Sequence, residues 1–121
     1  MNVKDGVDLR FLRPEVSSKL FNIERIFKFH AGEDFRVVIT SGSDGKHSSK
    51  SKHYKHLAID IRVWNEDDSP DPDEEAFSFL EIRILINIRE DLETFLGDDW
   101  DVILEFRAGR IPSHLHLEYD P

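Results

Sequence analysis

Residues 114–119 read HLHLEY, with polar and apolar positions in strict alternation. In a strand, every second side chain faces the same side, so His114, His116 and Glu118 must share one face of a sheet. A second segment constrains the fold as strongly. LAIDIRVW, residues 57–64, is an apolar run rich in β-branched residues, yet it holds Asp60 between Ile59 and Ile61. A carboxylate in a partly buried strand has to be paired, hydrogen-bonded or bound to a metal.

The other elements follow from periodicity and punctuation. Pro14 opens a helix in which Val16, Leu20, Ile23 and Phe27 recur at helical spacing, with Gly32 as its C-cap. RVVIT, residues 36–40, is a short strand. SGSDGKHSSKSKHYKH is a long loop by composition, and loops of that length in compact domains are functional or disordered. Asp71-Pro72 starts a second helix whose stripe is Phe77, Leu80, Ile84, Ile88, Leu92 and Phe95, ending at Gly97. WDVILEF, residues 100–106, and HLHLEY are the closing strands. The order helix, strand, strand, helix, strand, strand implies an α+β fold: a small, mostly antiparallel sheet with helices packed on one side.

A chain of 121 residues suffices for one domain, residues 1–121, around one core. A net charge of −9 argues against nucleic acid as a partner. With no cysteine, any metal must be held by His, Asp or Glu. No apolar run has the length of a membrane span. The N-terminal stretch MNVKDGVDLRFLRPEV has acids and no apolar h-region, so a cytoplasmic protein is expected. The charge is uneven. Lys46, Lys50, Lys52, Lys55 and Arg62 crowd residues 46–62, where Asp60 is the only acid. Such a basic loop suits an anionic substrate, and equally suits a merely solvated surface.

Five of the six histidines lie in or just after this loop (His47, His53, His56) or in the last strand (His114, His116). Two imidazoles and a carboxylate make a zinc site with its fourth position open to water, the arrangement of catalytic zinc. Such a site needs a general base, and Glu105, at the end of the preceding strand, is the candidate. Plainer uses exist for each part. His-x-His pairs in strands are often surface features, Asp60 has Arg62 and the loop lysines as possible partners, and Glu105 reads equally as an exposed strand residue.

ITSGSDGKHSSKSKHYKHLAIDI followed by HLHLEYDP resembles the zinc D-Ala-D-Ala peptidases and their phage endolysin relatives. Their pattern is Ser-x-His-x-x-Gly-x-Ala-x-Asp with a terminal His-x-His, shared by the zinc-containing signalling domain of Hedgehog proteins. Ser51, His53, Ala58 and Asp60 match in place, and GVDLRFLRPEV followed by a helix and VITSG extends the likeness over nearly the whole chain. The resemblance implies a Hedgehog/DD-peptidase-like fold and a zinc ion (Zn2+) held by His53, Asp60 and His116. It implies that Glu105 is the base and that His114 stabilises the oxyanion or transfers a proton. His47 matches a cleft-lining histidine of the Hedgehog pattern and is expected, with Arg36, on the substrate side. The implied activity is a carboxypeptidase or endopeptidase cutting the stem peptide of bacterial peptidoglycan at a D-Ala-D-Ala or L-Ala-D-Glu bond. A monomer or weak homodimer is expected, and an enzyme of this kind would need a route out of the cell to reach the wall.

Two departures stand out. His56 occupies the position of the family glycine, and FRAGRIPS makes the connection between Glu105 and His114 longer than in small phage-type relatives. Two other readings stay open: a non-catalytic zinc-binding module of the same fold, and a metal-free structural or interaction protein of a phage particle.

Overall fold

The computed structural model describes residues 1–10, 12–42, 57–65, 78–107 and 111–121. The elements in chain order are β1 (Asn2–Val3), α1 (Pro14–Ser17), α2 (Leu20–Ala31), β2 (Val38–Ser41), β3 (Ala58–Arg62), β4 (Trp64–Asn65), β5 (Ser78–Phe79), α3 (Ile82–Leu96), β6 (Trp100–Arg107) and β7 (Ile111–Tyr119). The chain is α+β, with a five-stranded sheet in the order β1-β2-β3-β7-β6 and a separate β4-β5 pair. The sheet is mixed. β1 runs parallel to β2, while the β2–β3, β3–β7 and β7–β6 pairs are antiparallel.

The expected first helix is two helices. The Lys19 N–H bonds to the Val16 carbonyl at 3.0 Å, a three-residue closure that tightens the chain at Ser17-Ser18 before α2 begins. Serines compete locally for backbone partners, and periodicity alone does not register them. The expected ends hold. Gly32 and Gly97 have φ of 104° and 87°, and their N–H groups bond to the Lys28 and Glu93 carbonyls. A side chain is disfavoured at both caps.

The second helix starts at Ile82, later than the Asp71-Pro72 signal implies. Ser78 and Phe79 pair instead with Asn65 and Trp64, so strand pairing takes the residues just ahead of the helix. Asp71, Pro72 and Phe77 lie outside the described residues. The buried stripe of α3 is Leu85, Ile88, Leu92 and Leu96, one residue displaced at each end from the expected Ile84 and Phe95. Ile84-Leu85 and Phe95-Leu96 are adjacent apolar pairs, and only packing chooses between their members. Phe95 turns outward and takes the Lys19 ammonium at 5.3 Å from its ring centre.

Alternation along the central strands sorts the two faces of the sheet. Ile59 and Ile61 of β3, Leu115 and Leu117 of β7, Ile39 of β2 and Val102 of β6 enter one core with Val16, Ile23, Phe27, Leu85, Ile88 and Leu92 of the helices. Ala58, Asp60 and Arg62 of β3 fall on the other face, as do His114, His116 and Glu118 of β7. The N-terminal segment crosses the end of β2 so closely that a Cβ on Gly42 would lie 2.8 Å from the Asp8 carbonyl oxygen and from Leu9 Cδ2. Glycine is therefore required there by close approach.

No described helix is long and apolar enough to cross a membrane.

Candidate functional site

The β3–β7 ladder sets the site. The Tyr119 N–H bonds to the Leu57 carbonyl at 2.9 Å, which turns the backbone groups of alternate residues Tyr119, Leu117 and Leu115 toward β3. Asp60 therefore faces His116 as a pair whose backbone groups point away from each other. Such pairs bring their side chains closest. His116 Nδ1 lies 2.7 Å from Asp60 Oδ1 and its Nε2 3.2 Å from Glu118 Oε1. The imidazole is thus clamped between two carboxylates.

Burial alone would lower the pKa of His116. The hydrogen bond to Asp60, then that to Glu118, and the charges of both carboxylates outweigh it and raise the imidazole from its ordinary 6.5 to about 9. At neutral pH the ring is an imidazolium that donates to both acids. Asp60 is 8% exposed, and this cation explains how an apolar strand tolerates it.

The chain of contacts continues to β6. His114 Nε2 stands 3.6 Å from Asp60 Oδ1 and 3.0 Å from Glu105 Oε2. Glu105 is directly opposite His114 in the β6–β7 ladder, although their connection is long. The extra residues are absorbed by continued pairing, Phe106 with Pro112 and Arg107 with Ile111, after a register shift next to Glu105. Carboxylates and imidazoles therefore alternate across three strands as Glu105, His114, Asp60, His116 and Glu118.

Of the residues expected at the site, Asp60, His114, His116 and Glu105 come together. His53 and His47 lie outside the described residues, as does His56. Arg36 is exposed, in the residues leading into β2. Alternation already placed Glu118 on the same face, and its carboxylate reaches His116 Nε2.

The donor chemistry suits zinc in two respects. A carboxylate and an imidazole nitrogen converge, and the other ring nitrogen is held by a carboxylate, as metal-binding histidines require. Beside this array, carboxylate oxygens of Asp101, Glu118 and Asp120 lie within 4.8 Å of one another, a grouping common among exposed acids that hold no ion. The chain matches no family model, no curated protein and no solved structure.

Proposed function

We propose that this chain is a zinc-dependent peptidase that hydrolyses a peptide bond in the stem peptide of bacterial peptidoglycan. The observation that carries the reading is the 2.7 Å approach of Asp60 to His116, with the Glu105–His114 pair beside it on the same sheet face. Those are four of the residues that the resemblance to the zinc D-Ala-D-Ala peptidases assigns to metal binding and catalysis. His53, from the loop, would complete the ligand set with Asp60 and His116.

Bound zinc would supply a Lewis acid and a water whose pKa falls toward ~7. Glu118 holds His116 by its Nε2, leaving Nδ1, which faces Asp60, as the atom that would hold the metal. Glu105, half exposed, is open to take a proton from the attacking water. His114 sits between Glu105 and Asp60, where it can keep the base oriented and donate an N–H to the oxygen on which charge develops.

One observation favours a second reading. Asp60, His116 and Glu118 satisfy one another as a hydrogen-bonded network, which is also what a metal-free interaction domain needs. Metal analysis of protein purified without chelator, paired with mass spectrometry of digested peptidoglycan, separates the readings. The peptidase reading expects about one zinc per chain and released stem-peptide fragments, both lost in His116→Ala and His53→Ala. Zinc without turnover supports a non-catalytic zinc module, and no zinc with no turnover supports the metal-free domain.

A further inference from the structure

The end of the sheet formed by β6 has properties that neither the zinc site nor the core uses. Among the described residues no strand lies outside β6, and it is eight residues long, whereas β1 at the opposite end has two. Edge strands are normally blunted by proline, lysine or brevity. β6 contains neither proline nor lysine, and its charged residues are Asp101, Glu105 and, at its end, Arg107.

The phase of the ladder shows which groups this edge offers. The Asp120 N–H bonds to the Asp99 carbonyl at 2.7 Å, so odd-numbered residues of β6 address β7. Val102 and Leu104 consequently direct their N–H and C=O groups outward. Beside them an open groove of about 340 Å³ runs between the end of α3 and β6, with Trp100, Val102 and Ile103 among its lining and the acids Glu93, Asp98 and Asp101 at its rim. Ile103 is 46% exposed.

Among the described side chains around this edge, acids predominate. Glu93, Asp98, Asp99, Asp101 and Glu105 are all exposed. Arg89 stands 3.8 Å from Glu93, and His114 stands 3.0 Å from Glu105. A second copy of this chain is a poor occupant. Two β6 strands paired antiparallel about Ile103 would set Asp101 opposite Glu105 twice, and like charges directly opposite are destabilising.

We propose that the outer edge of β6 is a docking site for an extended, lysine- or arginine-bearing peptide segment, which adds as a strand. Main-chain bonds to Val102 and Leu104 would provide affinity, and the acidic rim would select cationic side chains. This does not depend on the zinc reading.

The test uses the whole chain with chelator present and a short fluorescent peptide alternating lysine with valine. A second peptide has glutamate for lysine. A third repeats the first with every second backbone nitrogen methylated, which blocks strand pairing without changing charge. Saturable anisotropy for the first peptide is expected, weakened on the order of ten-fold or more in the other two. Hydrogen exchange should slow at the Val102 and Leu104 amides when the first peptide binds. The exposed double variant Asp98→Lys with Asp101→Lys should weaken the lysine peptide by a similar factor. Equal binding of the methylated peptide, unchanged exchange at Val102 and Leu104, or no saturable binding would each overturn the proposal. So would a dimer in sedimentation that Ile103→Lys dissociates.

Discussion

Replacing Asp60 by asparagine tests the reading of the site at its centre. The substitution keeps the shape of the side chain and removes the charge that holds His116 protonated. In the fold that imidazole titrates at about 9, against an ordinary value of 6.5. At ~1.36 kcal/mol per pH unit the gap comes to about 3 kcal/mol, an upper figure because Glu118 supplies part of it. The folded pKa is raised, so this stability is fully present below pH 6.5 and is lost as pH rises through about 9. Chelated wild-type protein should therefore lose roughly 2–3 kcal/mol of unfolding free energy between pH 6.5 and 9.5, beyond changes shared with the variant. Asp60→Asn should be less stable than wild type at pH 6.5 by a similar amount, and the difference should shrink at high pH. Urea unfolding across this range measures the stabilities, and NMR titration of the His116 ring measures the pKa directly. A His116 pKa at or below 6.5, or parallel pH profiles for the two proteins, would refute the carboxylate clamp.

If His116 is a zinc ligand as proposed, zinc added at pH 7.5 must displace its proton, so calorimetry in buffers of different ionisation enthalpy should show about one proton released per zinc. Binding without proton release would remove His116 from the ligand set. Glu105→Gln should lower peptidoglycan turnover by about 10²–10⁴-fold while zinc content is unchanged. Retained turnover would leave that glutamate without a catalytic part. Gly42→Ala should destabilise by roughly 1–3 kcal/mol in urea, because its methyl group meets the Asp8 carbonyl. An unchanged midpoint would mean that the N-terminal segment does not hold this position. Leu115→Ala, at a fully buried site in the central sheet, should cost about 2–5 kcal/mol, and a loss below 1 would contradict the described core.

Much of the fold was legible because short-range rules governed it. Strict alternation in HLHLEY committed β7 to two unlike faces, and glycines marked the ends of α2 and α3. Where two apolar residues were adjacent, as at Ile84-Leu85 and Phe95-Leu96, the pattern was degenerate and packing settled it. The β1–β2 parallel pair and the late start of α3 depend on partners distant in sequence, to which local propensity is blind.

The site divides along the same line. Sequence alone committed His114, His116 and Glu118 to one side of a strand, because a side-chain period of two permits nothing else. It also posed Asp60 as a charge needing a partner. Which partner Asp60 takes was decided by register. Placing Asp60 opposite His116 and Glu105 opposite His114 aligns three strands, and a slip of one residue would have turned each of these groups into the core. That long-range alignment, set by the apolar residues on the opposite face, converts two isolated histidines and three acids into one connected array.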